Sequence, residues 1–345
     1  MKNSRQPRVI VVTGAAGGVG RATARMFAKT EHARLGLIAR SAEALEAAKR
    51  EVAELGGQAL VLPCDVADAA AVEAAAARVE AELGPMDVWV NDAMTSVFAF
   101  IKDTTPEEFK RVTEVCYLGY VHGTLAALKY MLPRNRGHII QVGSALAYRG
   151  IPLQAAYCAS KHAIQGFMDS LRAELIHLRS RIVPVMVQMP ALNTPQFDWC
   201  RNKLSHKSQP VPPSYQPEVA ARAIVFASKS RRREIYVGLP TVIAIIGNKL
   251  FPRLGDLYLG KKGVKCQQTQ EANPPNAPDN LHEPVGGDPG AHGRFDDQAR
   301  SDSTQLWLDM HRGWIAAGLL AVGAVGLGRL WAARRDSRVS GQTPA

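Results

Sequence analysis

Arg8-Val9-Ile10-Val11-Val12-Thr13 runs directly into Gly14-Ala15-Ala16-Gly17-Gly18-Val19-Gly20. The first part is an unbroken β-branched run, the mark of a strand buried on both faces. The second part is a glycine-rich turn, and the residues after it read as a helix to about Lys29. A buried strand, a glycine turn and a helix start, in that order, build an anion site. The glycines let the backbone approach a ligand, and the free N–H groups and positive dipole end of the helix face it. Thr13, Gly14, Gly18, Val19 and Gly20 are therefore the expected contacts of a dinucleotide pyrophosphate.

The same alternation continues outward. Further strands are expected at Leu35 to Ala39, Gln58 to Leu62, Asp87 to Val90, Gly137 to Val142, Arg181 to Gln188 and Glu234 to Gly238. Helices fill the gaps, with single long ones expected from Pro106 to Met131 and from Leu153 to Arg179. Ser41 caps the second helix, and Glu43 and Glu46 suit its dipole. Apolar strands separated by helices specify a three-layer, doubly wound, mostly parallel α/β sheet of about seven strands, Rossmann-like in organisation. Its expected extent is residues 7–263. Within it, Met189 to Tyr215 holds Pro190, Pro195, Pro210, Pro212 and Pro213, and 189–216 is read as a substrate lid.

The second strand ends in Ala39-Arg40-Ser41, with no acid to bind ribose hydroxyls. Arg40 suits the extra phosphate of NADP, so NADP is expected in preference to NAD. Asp65-Val66 follows the third strand, where a carboxylate can accept from an adenine amino group.

The catalytic candidates lie farther on. Tyr157 and Lys161 are four residues apart and share a helix face. An ammonium beside a phenol stabilises the phenolate and lowers its pKa, which makes tyrosine an acid/base for a carbonyl or alcohol oxygen. Ser144, just past a strand, supplies a second hydrogen bond to that oxygen.

With these residues in place, the chain resembles the short-chain dehydrogenase/reductase family of the simple single-domain type. The resemblance covers roughly residues 7 to 240 and rests on the Thr13–Gly20 turn, Asp65, Asn91, Ser144, Tyr157 with Lys161, and Pro190 with Thr194. It implies that Tyr157 is the acid/base, that Ser144 orients substrate, and that Lys161 also holds the nicotinamide ribose. Asn91 joins the cofactor residues, and Pro190 and Thr194 lie near the nicotinamide carboxamide. It also implies a homo-oligomer built through the two long helices. Two positions depart from the family. Asn91-Asp92-Ala93-Met94 lacks the glycine that usually ends this turn, and Cys116 stands where an asparagine usually serves the proton relay. A thiol is not expected to reproduce the two-sided hydrogen bonding of an amide.

Together these features predict an NADP-dependent oxidoreductase acting on a hydrophobic ketone or secondary alcohol. Two alternatives are a non-catalytic NADP-binding module at a membrane, and the same fold with dehydratase or epimerase chemistry. The net charge of +11 shows no basic and aromatic clustering, so it points to an anionic cofactor or membrane surface and not to nucleic acid. The five cysteines are scattered without metal-ligand spacing, so no metal is expected and a reducing compartment fits. Met1 to Arg8 lacks a secretory core, so the catalytic domain is expected to be cytoplasmic.

Composition changes after residue 263. Glu271 to Ser303 holds five Pro, four Gly and seven acids against two Arg, so 264–310 is read as a Pro/Gly-rich linker, with docking of the tract from Asn280 to Phe295 as the alternative. Gly313 to Gly328 is uncharged, and 311–335 is expected to form a hydrophobic helix and membrane anchor, with a buried or surface helix as the alternatives.

Overall fold

The computed structural model describes residues 6–315 and 317. Residues up to Ser303 form one compact unit, and those from Thr304 onward form a second. The first is built on seven strands: β1 (Val9–Thr13), β2 (Arg34–Ala39), β3 (Gln58–Pro63), β4 (Met86–Asn91), β5 (His138–Ser144), β6 (Val183–Met189) and β7 (Glu234–Tyr236). Their order is β7-β6-β5-β4-β1-β2-β3, and every neighbouring pair is parallel. The order reverses between β1 and β4, which opens a crevice at the carboxyl ends of those strands, where ligands bind in such sheets. Val9 to Val12 are inaccessible to solvent, as an apolar run in a covered parallel sheet must be.

Helices α1 (Gly18–Glu31), α2 (Ala42–Glu54) and α3 (Ala69–Glu82) connect the first strands. Ser41 caps α2 by accepting from the Ala44 N–H, and Asp68 caps α3 through Ala70 and Ala71. The single helix expected from Pro106 to Met131 is instead α4 (Pro106–Thr113), a π turn at Glu114–Leu118, and α5 (Gly119–Arg134). A Thr105–Glu108 capping box starts α4. The π turn swings the buried Cys116 thiol onto Thr95, and such turns gather at functional sites. Longer helices follow at α6 (Ala155–His177), α7 (Pro217–Ala227), α8 (Leu239–Leu250) and α9 (Pro252–Lys262).

The stretch 189–216 is not a bare loop. It carries a short helix, Gln196–Trp199, and the strands Arg201–Asn202 and His206–Ser208. The first strand pairs with Val97–Phe98 and the second with Gln268–Ala272 from beyond the sheet. Phe197 packs edge-on against Phe98 and Phe295, with centroids 6.2 and 6.1 Å apart.

That pairing corrects the reading of 264–310 as an extended linker. Residues 268–303 belong to the first unit and lie across it. Leu281 is completely buried in the main core, and the Asn280 and Arg300 N–H groups donate to the carbonyls of Trp199 and Ser214. The composition misleads because a few apolar residues, Leu281, Ala291 and Phe295, together with hydrogen bonds and ion pairs, do the anchoring. Leu281→Ala is therefore expected to cost about 2–5 kcal/mol in denaturant unfolding, the range for a buried leucine. A loss under about 0.5 kcal/mol, the range of a surface change, would mean that this segment is not docked in solution.

In the second unit, 304–315 is helical, with Trp307 and His311 stacked at 4.5 Å. The hydrophobic helix expected at 311–335 falls, apart from residues 311–315 and 317, outside the described residues. Among the described residues, no helix is long and apolar enough to cross a membrane.

Candidate active site

The crevice between β1 and β4 is part of a cavity of about 1080 Å³ that runs from Arg40 to Tyr157. Ligand pockets commonly span roughly 300–1,000 Å³, so this one has room for a dinucleotide and a second molecule. Gly14, Gly18, Val19, Arg40, Asp65, Val66, Ser144, Tyr157, Lys161, Pro190 and Thr194 all line it. Gly14 and Gly18 have φ of +73° and +55°, which side chains rarely tolerate. Gly20 lies outside the cavity wall, and its contribution is closeness. A Cβ there would stand 2.3 Å from the Gly14 carbonyl, so the tight turn requires glycine.

Two expected cofactor contacts turn inward instead. The Thr13 hydroxyl accepts from the Asp92 and Ala93 N–H groups at 2.9 and 3.1 Å, tying the glycine turn to the β4 loop. Asn91 is fully buried. Its amide donates to Tyr120 O, Thr124 Oγ1 and Gln141 Oε1 and accepts from Trp89 Nε1. Both side chains brace the loops that shape the crevice and do not face it.

At the other end, Ser144 ends β5, and Tyr157 and Lys161 lie on α6. Ser144 Oγ accepts from the Leu146 N–H at 3.1 Å and lies beside the Tyr157 phenol. Lys161 Nζ stands 5.4 Å from the Tyr157 ring centroid. Burial pushes the Tyr157 pKa well above its usual value, and the Ser144 hydroxyl works against that shift. This reverses the direction expected from the i, i+4 spacing, because desolvation of the phenolate is the largest influence.

Lys161 donates to the Tyr120 hydroxyl at 2.8 Å and to the Val142 carbonyl at 2.7 Å, and the Tyr120 hydroxyl also donates to that carbonyl. Cys116 is not in this chain. Its Sγ accepts from the Thr95 N–H at 3.3 Å and donates to the Thr95 carbonyl at 3.1 Å. The thiol thus makes the two-sided contact it was not expected to make, and it holds the π turn to the loop after β4.

Sequence reasoning also passed over Asp92. Its buried carboxyl lies near the Gly20 N–H and feels the Lys161 charge. Burial raises the pKa of Asp92 and lowers that of Lys161, and their mutual attraction opposes both shifts. Removing the carboxylate charge in Asp92→Asn should drop the Lys161 pKa further. If activity needs the ammonium, the alkaline limb of the kcat/KM profile moves to lower pH. An unmoved limb would show that Asp92 does not tune Lys161.

Residues 279–293 form a strap over the cofactor end. Arg40 donates to the main-chain carbonyls of Asn280 and His282 at 2.5 and 2.6 Å, and Arg111 donates to that of Leu281. Arg111 also pairs with Asp65. The Gly18 N–H donates to Gly290 O at 3.1 Å, and the buried Arg21 binds Asp288 at 2.7 Å. His292 closes the far end against Glu218 and Asp296. Burial works to lower the His292 pKa, but those two hydrogen bonds outweigh it and raise it. A raised histidine stabilises the fold below its unfolded pKa and loses that contribution as pH rises through the folded value. Strap amides should therefore exchange faster, after correction for intrinsic rate, above this window than below it. In His292→Gln the pH dependence should flatten. A strap equally protected at both pH values in the native chain would rule the tether out.

Among the described residues no group of three or more His, Cys, Asp or Glu could hold a metal ion.

A family model described as short chain dehydrogenase matches residues 8–201. The uncharacterized oxidoreductase YxnA of Bacillus subtilis (strain 168) is 33% identical over 282 residues, or 80% of this chain and 78% of the relative. Dehydrogenase/reductase SDR family member 7B of Bos taurus is 42% identical over 173 residues, or 48% of this chain and 53% of the relative, so the match spans about half of that protein. Among solved structures, a metagenomic short-chain oxidoreductase in complex with NADP is 29% identical, with a TM-score of 0.57, covering 68% of this chain and 98% of that one. The matched span begins just before β1 and continues through α6 into the excursion after β6, and the chain belongs to the short-chain dehydrogenase/reductase family.

Proposed function

We propose that the chain is an NADP-dependent oxidoreductase that moves a hydride between nicotinamide and a hydrophobic ketone or secondary alcohol. The observation that carries this reading is the shared cavity, with the glycine turn and Arg40 at one end and Ser144, Tyr157 and Lys161 at the other. The residues present fit the dinucleotide. The Gly18 N–H now donates to Gly290 O, so residues 289–290 would have to leave the start of α1 for Gly18 and Val19 to hold the pyrophosphate there. Arg40, with Ser41 beside it, would hold the 2′-phosphate, and Asp65 with Val66 the adenine. Lys161 would hold the nicotinamide ribose, and Pro190 and Thr194 the carboxamide.

The nicotinamide, when bound, supplies or accepts the hydride. The chain does the rest. Ser144 hydrogen-bonds the substrate oxygen and keeps it beside the Tyr157 phenol. In reduction, Tyr157 gives its proton to that oxygen as negative charge develops, and in oxidation it takes the proton back. The Lys161 ammonium stabilises the phenolate, and the Tyr120 hydroxyl and Val142 carbonyl hold that ammonium in place. The strap and the 189–216 excursion exclude water from the cleft.

The substrate end is apolar. Leu192, Phe197, Ile243, Phe251 and Leu254 line it, which supports a hydrophobic carbonyl compound. Leu118, Leu125 and Leu132 are exposed at seven-residue spacing along the π turn and α5, which supports a homo-oligomer through this helix. Cofactor consumption with a panel of ketones and alcohols tests the assignment. Turnover that rises with substrate hydrophobicity and prefers NADP supports it. Absence of turnover across the panel, with tight NADP binding retained, would favour a binding module.

A further inference from the structure

Helices α8 and α9 form a hairpin whose outer face is unusually apolar. Leu239, Ile243, Ile246 and Leu250 follow one stripe of α8, and Leu254, Leu257 and Tyr258 continue it on α9. Each is about half exposed or more, up to 63% at Leu250. Large contiguous apolar patches of this kind mark interaction surfaces. Ile243, Leu254 and Tyr258 also line the cavity that holds Tyr157, so the apolar face surrounds a mouth of the active site.

Charge identifies the occupant. Residues 239–265 contain five cations, Lys249, Arg253, Lys261, Lys262 and Lys265, and one acid, Asp256. All five cations are exposed, and among the described residues none is in an ion pair, although Lys249 stands over the Tyr148 ring. Asp256 is already paired with Arg149 at 2.6 Å. A second copy seated symmetrically on this face would bring the two sets of cations together, since a two-fold interface opposes the same patch to itself. An anionic lipid surface satisfies both the apolar stripe and its basic border. At 12 and 11 residues the helices are far short of the roughly 20 needed to cross a bilayer, so contact is along the surface.

We propose that the α8–α9 hairpin docks the enzyme on an anionic membrane surface and admits a lipid-dissolved substrate through the cavity mouth it surrounds. The docking rests on the hairpin alone, whereas the admission of substrate also rests on the function proposed above.

Hydrogen–deuterium exchange on the full chain tests it with phosphatidylcholine vesicles, with and without phosphatidylglycerol. Amides of 239–262 should exchange several-fold more slowly with the anionic vesicles, and less so with the neutral ones. The triple variant Ile246→Glu, Leu250→Glu, Leu257→Glu, at positions outside the cavity, should lose that protection. It should keep turnover of a short water-miscible ketone and lose, by tenfold or more, turnover of one dissolved in the vesicles. Three results overturn the proposal. In one, the protein floats with vesicles while 239–262 exchanges unchanged. In another, the segment becomes protected with rising protein concentration and no lipid, which assigns the face to a second copy. In the third, it is protected without lipid and exposed on deletion of 304–345, which assigns it to the chain's own tail. Protection by vesicles with no turnover of any ketone would leave the docking intact and remove the proposed reaction instead.

Discussion

Tyr157→Phe is expected to lower kcat by about 10²–10⁴-fold, the usual contribution of a positioned acid or base, while NADP affinity stays near that of the native chain. The substitution removes one hydroxyl and keeps the ring among Cys116, Cys158 and Lys161, so the fold has no reason to change. Burial holds the phenol protonated at neutral pH. It is thus ready to give a proton in reduction and must lose one before oxidation. Alcohol oxidation should accordingly rise with pH until the Lys161 ammonium is lost, and ketone reduction should not. A Phe variant that keeps a tenth or more of native kcat, in either direction, would remove Tyr157 from the chemistry. Stopped-flow turnover with each cofactor form, alongside a direct binding titration, separates the two quantities.

Arg40→Ala is expected to weaken NADP binding by tenfold to a hundredfold and leave NAD binding nearly unchanged. Hydrogen bonds to charged groups contribute about 1.5–3 kcal/mol, and about 1.4 kcal/mol is tenfold. The comparison of cofactors is essential because Arg40 also donates to two strap carbonyls. Loosening the strap would weaken both cofactors together. Loss of a phosphate contact would weaken only the phosphorylated one. Arg40→Lys should fall between, since a lysine keeps charge but not the guanidinium fork. Equal losses for NAD and NADP would leave Arg40 as a strap anchor and withdraw the NADP preference.

The parallel sheet and the places of its strands were readable because most strands are apolar runs and several turns carry glycine or a capping residue. Ser41 and the Val9–Val12 run are cases where local chemistry and global fold agree. The π turn was not readable, because its cause is tertiary: Cys116 meets Thr95 only once the β4 loop is packed. Asp92 was seen only as the neighbour of a missing glycine, and its attraction to Lys161 depends on α6 lying opposite. Thr13 and Asn91 fit a motif, but a motif does not say which way a side chain points. The strap was hardest. Its residues are polar and proline-rich, and the groups that hold it, Arg21, Arg40 and Arg111, lie far away in sequence on α1, after β2 and on α4. Leu281, Val285 and Phe295 are the apolar residues that pointed to docking there, and the seven acids of 271–303 suit a basic body.

The most direct test is isotope transfer. Deuterium placed on the reactive carbon of reduced NADP should appear on the carbinol carbon of the alcohol formed from a hydrophobic ketone, from one face of the nicotinamide only, and not with Tyr157→Phe under the same conditions. Product alcohol formed without the label, or labelled equally by the Phe variant, would contradict hydride transfer at the Ser144–Tyr157–Lys161 site.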